Sequence, residues 1–204
     1  MLENLYLFSI ATIVLAMSPG PDNIYVLTQS LVNGVKSGIA TTVGLISGCI
    51  VHTSLLAFGI SAIITANESL FYGIKVLGAC YLIYLAYKVF SSDSEILLGA
   101  NAPNKSAAQL FKQGFIMNLL NPKVMIFFLA FFPAFIWNPE SETVSQIFIL
   151  GFTFMFVSLI VFSGIALLAG SISSYLRHNK NIGLVLKWLQ IIVFIGIAVF
   201  ILVP

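Results

Sequence analysis

Long apolar stretches alternate with short polar breaks along the whole chain. Six of the apolar stretches approach or exceed the 20 or so residues that a helix needs to cross the hydrocarbon core of a bilayer. They lie near 5–31, 39–66, 70–90, 110–136, 145–172 and 182–203. The sequence lacks the strict alternation of apolar and polar residues that is typical of a membrane barrel. The pattern therefore predicts an all-α membrane protein with six transmembrane helices.

The composition excludes an ordinary soluble fold. Of the 204 residues, 59% are hydrophobic and only 8% are charged, whereas a soluble domain carries about 25% charged residues. The net charge of +2 is too small to indicate a nucleic-acid surface. No basic residue precedes Lys36, so the first apolar run is predicted to be a retained helix and not a cleaved signal peptide. We therefore expect the lipid bilayer to surround the chain. The composition excludes both a soluble enzyme and a nucleic-acid binder.

The basic residues predict an orientation. With six spans, the breaks after spans one, three and five lie on one side, and both termini lie on the other. The terminal side has Lys75 as its only basic residue, while the opposite side has Lys36, Lys88, Lys105, Lys112, Arg177, Lys180 and Lys187. Positively charged loops remain in the cytoplasm. Both termini should therefore face the outside or the periplasm.

The chain is predicted to consist of two similar halves within one integral membrane domain. The first three-helix repeat covers 1–90, a cytoplasmic polar linker covers 91–109, and the second repeat covers 110–204. Each repeat opens with a span that is interrupted by proline. The interruptions read Ser18-Pro19-Gly20-Pro21-Asp22-Asn23 and Asn121-Pro122-Lys123. Because three spans per repeat reverse its orientation, the pattern predicts two inverted three-helix repeats with helices one and four broken at proline.

The two interruptions predict a binding site in the middle of the membrane. Proline breaks a helix interior but is tolerated in the first turn of a new helix. Ser18-Pro19 and Asn121-Pro122 are each expected to be a helix cap followed by the first helical residue. The two new helix N-termini would approach each other from opposite leaflets, and each would carry about half a positive charge. Such a pair of ends favours an anionic group, most simply a carboxylate.

Asp22 and Lys123 fall within these interrupted spans. A charge in the bilayer costs about 2.5–3.5 kcal/mol on insertion scales, so each needs a partner or a polar cavity. In one interpretation they hold a zwitterion, with Asp22 binding an ammonium and Lys123 a carboxylate. In the other they form a structural ion pair, and the sequence leaves both open. The predicted substrate-binding residues are Ser18, Pro19, Gly20, Pro21, Asp22, Asn23, Asn118, Asn121, Pro122 and Lys123.

Two further features are candidates for coupling and packing. His52 lies in span two and is either a hydrogen-bonded packing residue or, with Asp22, a residue that relays protons. Gly44 and Gly48 allow close contact between helices. We expect that contact within the monomer, with a homodimer as the alternative. No cofactor or metal site is predicted.

The sequence resembles the LysE/RhtB family of amino-acid exporters. The resemblance is carried by Ser18 to Asp22, the glycine-rich stretch Gly38 to Gly48, Gly78 to Leu85, Asn121 to Phe128 and Phe132-Pro133. It covers essentially the whole chain. It implies export of an amino acid from the cytoplasm across the bacterial inner membrane, in exchange for protons, by a protein that is not an enzyme. Both termini would then be periplasmic.

One departure from the family bears on the substrate. Many members have an acidic residue directly after the second glycine of the G-x-x-x-G in span two, and here that residue is Cys49. One carboxylate fewer argues against lysine or arginine and favours a neutral amino acid such as threonine, homoserine or leucine. Two rival functions remain. Asp22, Cys49 and His52 could serve cation or metal efflux, and the two cysteines could serve a membrane redox carrier.

Overall fold

The chain is helical throughout the residues that its structure describes. The structure is a computed structural model and describes residues 1–18, 20–60, 68–92, 103–138, 141–178 and 182–202, with no strand among them. The first half contains α1 (Leu2–Met17), α2 (Pro21–Asn33), α3 (Val35–Leu55) with a π-helical turn (Leu56–Ile60), and α4 (Glu68–Phe90). The second half contains α5 (Ala107–Leu120), α6 (Pro122–Ile126), α7 (Thr143–Leu167), α8 (Ala169–His178) and α9 (Ile182–Leu202). A π-helical turn (Phe127–Phe131) and a 3-10 turn (Phe132–Phe135) extend α6.

The helices confirm an all-α membrane fold. Four are long and apolar enough to cross a bilayer alone: α4, α7, α9, and α3 together with the turn that follows it. Two further spans are formed only if bent pairs are counted as one each. The pairs are α1 with α2, bent by 63°, and α5 with α6 and its extension, bent by 51°. The described residues therefore contain four to six spans, and both bends coincide with the predicted interruptions.

One predicted boundary is wrong. The fifth span was expected over 145–172 with a polar break after it, but α7 ends at Leu167 and α8 follows almost at once. The short polar segment is helical because it packs on α2, with Ser173 buried. It is too short and polar to cross a bilayer. The end of the second predicted span, after residue 60, lies outside the described residues.

The most extensive helix contact joins α3 to α5. A Cβ added at Gly44 would collide with the backbone carbonyl of Phe111, and one added at Gly48 would lie 2.6 Å from Asn118 Oδ1. Glycine at both positions lets the helix backbones approach closely. This glycine face of α3 is thus used within the monomer, next to the interruption between α5 and α6.

Replacing Gly44 by alanine should destabilise the fold. The new methyl group meets backbone, which cannot rotate away, so the two helices must separate. We expect a loss of about 1–3 kcal/mol, as for overpacking in other cores. Thermal unfolding of the purified protein in detergent measures it. Gly164→Ala in α7 is the matched control, since no atom lies within 4 Å of its added Cβ. Equal unfolding midpoints for the two variants would contradict the close contact.

An aromatic cluster packs α1 against the second interrupted span. Phe8 of α1 is fully buried, and its ring centre lies 4.9 Å from that of Phe132 and 5.2 Å from that of Phe135. Phe127 and Phe131 are also buried, with ring centres 4.7 Å apart. The aromatic run is therefore part of the core. It packs α1 against the 3-10 turn that extends α6.

Candidate functional site between the interrupted helices

The first interruption differs in detail from its prediction. The new helix was expected to begin with Ser18 as its cap and Pro19 as its first residue. Instead Ser18 ends α1, Gly20 is the extended N-cap with φ −171° and ψ 175°, and α2 begins at Pro21. A residue that precedes proline is disfavoured in the α conformation. Gly20 therefore delays the helix until Pro21. Pro19 itself lies outside the described residues.

The second interruption follows its prediction. Asn121 is the N-cap, and its side-chain oxygen accepts a hydrogen bond of 3.0 Å from the backbone N–H of Lys123. Pro122 is the first residue of α6. This arrangement suits both residues, because an asparagine side chain satisfies a free N–H and proline has none to satisfy. Asn121 is also the residue at which the bent span changes direction.

A short hydrogen bond joins the two interruptions. Asn121 Nδ2 donates to Asp22 Oδ2 at 2.6 Å. Asp22 lies in the first turn of α2 and is only 6% exposed. Its other oxygen, Oδ1, is buried and has no hydrogen-bond partner among the described residues. A carboxylate at a helix N-terminus is favoured by the helix dipole, but a buried acceptor without a partner is costly. Asp22 thus retains an unused acceptor.

Lys123 caps the end of the opposite half-helix. Its Nζ donates to the carbonyl oxygens of Leu15 and Ser18, both at 2.9 Å. The carbonyls at a helix C-terminus lack partners within the helix and carry the negative end of its dipole. Asn23 Nδ2 donates a hydrogen bond of 2.7 Å to the Ala16 carbonyl oxygen. Asp22 and Lys123 therefore have separate hydrogen-bond partners in this conformation. The bonds to Leu15 and Ser18 use two of the three N–H donors of the Lys123 ammonium, so one donor remains for another acceptor.

Asn118 connects α5 to α3. Its side-chain amide lies 3.5–3.7 Å from the Cys49 sulfur. His52 Nε2 lies 3.3 Å from the Asn118 carbonyl oxygen. Because a carbonyl only accepts, this hydrogen bond requires a proton on Nε2. His52 therefore satisfies a carbonyl at the end of α5, and it also packs on Phe128 with ring centres 5.4 Å apart.

The interruptions enclose a small cavity of about 30 Å³. The predicted site residues that line it are Gly20, Asp22, Asn23, Asn118, Asn121 and Lys123. Ser18 is fully buried and reaches the site through the hydrogen bond that its carbonyl accepts from Lys123 Nζ. Pro21 and Pro122 are exposed and shape the backbone. His52 is not among the lining residues. This volume holds one or two water molecules. An amino acid needs the surrounding helices to move apart.

Sequence reasoning missed the wall that α7 contributes. Phe154, Ser158 and Phe162 line the cavity from that helix. Their spacing of four residues places them on one helix face. Ser158 is 1% exposed, and its hydroxyl has no hydrogen-bond partner among the described residues. Ser158 is one of several hydroxyls in this apolar run, with Thr153 and Ser163 five residues away on either side, so the sequence did not single it out.

Comparison with known proteins places the chain in a family. A sequence model of the family described as LysE type translocator matches residues 13–204. The chain belongs to the LysE type translocator family. The matched region includes both interruptions and every residue that lines the cavity. The chain is therefore a multi-pass membrane transport protein, as its apolar helices indicate.

Two curated relatives of this LysE type translocator have the same printed name. Each is a homoserine/homoserine lactone efflux protein, one from Salmonella typhimurium and one from Salmonella typhi. The chain is 31% identical to the first and 32% identical to the second, over 176 residues in each comparison. The matches cover 86% of this chain and 85% of each relative. No solved structure matched the chain significantly.

Proposed function

We propose that this protein exports a small neutral amino acid, of the size of homoserine, threonine or leucine, from the bacterial cytoplasm. The observation that carries the proposal is the meeting of two interrupted helices at a buried carboxylate with a free oxygen, Asp22 Oδ1. Family membership and the printed names of both relatives support export. No part of the proposed activity makes or breaks a covalent bond, so the protein acts as a transporter and not as an enzyme.

The buried carboxylate of the site is best suited to binding the α-amino group of a substrate. Asp22 supplies the negative charge that an ammonium needs, and its Oδ1 has no hydrogen-bond partner among the described residues. A substrate carboxylate would face the N-termini of α2 and α6 and the remaining donor of Lys123. Homoserine and its lactone, the molecules in the relatives' names, share the ammonium, but only homoserine has a free carboxylate. Asp22 is therefore proposed as the main anchor and Lys123 as a secondary one.

Transport requires a conformational change around this site. The cavity of about 30 Å³ is smaller than any amino acid, so the described conformation is closed. We propose that the chain consists of two inverted repeats, over 1–90 and 110–204, that rock against each other. The helix contacts support this: α3 packs on α5, α1 packs on α7, and α4 packs on α9. Exchanging the two halves turns the first pair into the second and leaves the third unchanged, as a two-fold axis requires.

The driving force is proposed to be proton exchange. Asp22 is the favoured carrier because one of its oxygens is free to bind either a proton or an ammonium. His52 is the weaker carrier. Its bond to the Asn118 carbonyl needs the Nε2 proton in the neutral and in the charged ring alike, so that titration leaves the contact unchanged. The proposed location is the inner membrane with both termini periplasmic, since the loops rich in lysine and arginine would then be cytoplasmic.

Neither rival function gains support from the structure. Among the described residues no three of His, Cys, Asp and Glu come together as a metal-binding group, so Asp22, Cys49 and His52 do not form one. Cys49 is buried and Cys80 is exposed, and both are free thiols. A thiol carrier needs two cysteines close enough to pair. A homodimer is not required, because the glycine face of α3 is occupied within the monomer.

Efflux from proteoliposomes tests the proposed function. We expect labelled homoserine or threonine to leave vesicles faster when the external medium is acidic than when there is no pH gradient. Inward proton movement then drives the exit of the amino acid. Protein-free vesicles and vesicles treated with a protonophore are the controls. Efflux of divalent cations with no efflux of any amino acid in a panel would contradict the proposal and favour the rival.

A further inference from the structure

Ser158 is the one polar group in the wall that α7 presents to the cavity. Phe154 and Phe162, its neighbours one turn away on the same helix face, are apolar. Ser158 is 1% exposed and its hydroxyl has no hydrogen-bond partner among the described residues. A hydroxyl can donate one hydrogen bond and accept others. Buried and unpaired, it is poised for a group that enters the cavity.

Nine other hydroxyls in the described helices have a different arrangement. They donate to the backbone carbonyl four residues earlier, as is usual for serine and threonine in membrane helices. The examples are Ser9, Thr12, Ser30, Ser37, Thr41, Thr42, Ser47, Thr53 and Thr153. Thr153 belongs to the same helix as Ser158. The hydroxyl of Ser158 makes no such bond to Phe154 and lies at the cavity instead.

The cavity thus contains two buried oxygens that lack partners, on different helices. Asp22 Oδ1 is contributed by α2 and Ser158 Oγ by α7, and these helices pack against each other. When ionised, the first only accepts hydrogen bonds, whereas the second both donates and accepts them. A ligand that satisfies both carries an ammonium at one end and a group that can donate or accept at the other. A hydroxyl on the side chain of an amino acid has that property.

We propose that Ser158 is a specificity-determining residue that binds the side-chain hydroxyl of the exported amino acid. The inference rests on the proposed function, with Asp22 as the anchor of the ammonium. It assigns the substrate class as hydroxyl-bearing amino acids, in preference to aliphatic ones of the same size. A site with a buried polar group discriminates against an analogue that lacks the matching hydroxyl, because the group is then left unpaired. Phe154 and Phe162 exclude water on either side of Ser158, which strengthens the discrimination.

Competition between two matched amino acids tests the inference. Homoserine and 2-aminobutanoate differ only in the side-chain hydroxyl, and each is used to inhibit efflux of labelled threonine by the wild-type protein. We expect homoserine to inhibit at a concentration about tenfold lower. In Ser158→Ala, the ratio of the inhibitory concentration of 2-aminobutanoate to that of homoserine should fall to within about twofold of one. 2-Aminobutanoate should inhibit this variant at least as well as it inhibits the wild-type protein. Ser158→Cys, with a weaker donor of similar size, should give an intermediate ratio.

Ser163→Ala is the matched control. Ser163 lies on the same helix and is half-buried, but it does not line the cavity. It should retain the wild-type ratio. A wild-type protein that transports both amino acids equally well would overturn the role of Ser158 without touching the exporter proposal. An equal loss of inhibition by both amino acids in Ser158→Ala would also overturn the role of Ser158, because it would indicate a structural or water-binding hydroxyl. Complete absence of amino-acid efflux by the wild type would overturn the exporter proposal, and the role of Ser158 with it.

Discussion

Replacing Asp22 by asparagine should abolish amino-acid efflux and leave the fold intact. An asparagine oxygen can still accept the hydrogen bond that Asn121 Nδ2 donates to Oδ2, so the two interruptions remain joined. The substrate ammonium, however, would lose the counter-charge that we propose for it in a buried site. Removing one partner of a buried charge pair costs about 3–5 kcal/mol, which is about two to four orders of magnitude in affinity. We expect efflux of homoserine to fall at least a hundredfold.

The measurement is initial efflux from proteoliposomes, normalised to the amount of folded protein. Glu3→Gln is the control, because it makes the same chemical change at an exposed residue in the first turn of α1. It should transport like the wild type. Homoserine lactone should be affected as strongly as homoserine, since the two share the ammonium. Normal, proton-coupled efflux by Asp22→Asn would remove Asp22 from the site and leave it as a residue that joins the half-helices.

Replacing Lys123 by methionine should prevent stable folding. Among the described residues, the substitution leaves the Ser18 carbonyl without a partner and leaves the Leu15 carbonyl with only a shared 3.2 Å bond from the Ser18 N–H. Hydrogen bonds to charged groups contribute about 1.5–3 kcal/mol each. Loss of both should therefore reduce stability by about 3–6 kcal/mol. The fraction of protein that remains monodisperse in detergent, and its unfolding temperature, report the loss.

A double variant separates this capping role from an ion pair. If Lys123 only neutralised Asp22, then Asp22→Asn combined with Lys123→Met would restore the fold. We expect no restoration, because the carbonyls of α1 would still lack their donor. Lys123→Arg should recover part of the stability, since arginine also donates to carbonyls. Lys36→Met is the control at an exposed lysine near the start of α3 and should fold normally. Full recovery by the double variant would contradict the capping role.

The two interruptions show how much of a helix boundary can be predicted from neighbouring residues alone. Proline at 122 after asparagine at 121 predicts the start of α6 correctly, because both the cap and the missing N–H are local properties. The first interruption contains two prolines around Gly20, and local rules alone placed the new helix two residues too early. The end of α7 and the helical state of α8 also escaped prediction. Packing of α8 on α2 gives a short polar segment a reason to be helical that its own composition does not contain.

The partners of the two buried charges show more clearly what local sequence does not predict. The cost of placing Asp22 and Lys123 in apolar spans could be foreseen from the sequence, and with it the need for partners. Which partners they find depends on the approach of α1 to α6, since Lys123 reaches carbonyls more than 100 residues away in the chain. Backbone carbonyls have no signature in the sequence. The capping of α1 by Lys123 therefore could not be predicted from the sequence, which left an ion pair and a zwitterion site as alternatives.

The sequence by itself determined the membrane fold, the two broken spans and six of the fifteen residues that line the cavity, because hydrophobic length and proline chemistry act over a few neighbouring residues. Only the tertiary structure decided that Asn121 holds Asp22, that Lys123 closes the end of α1, and that α7 brings Ser158 to the cavity. Ser158 lies more than 130 residues from Asp22 in the chain. Their meeting depends on how the helices pack, and packing in a bilayer is set by the fit of small and aromatic side chains across helix faces.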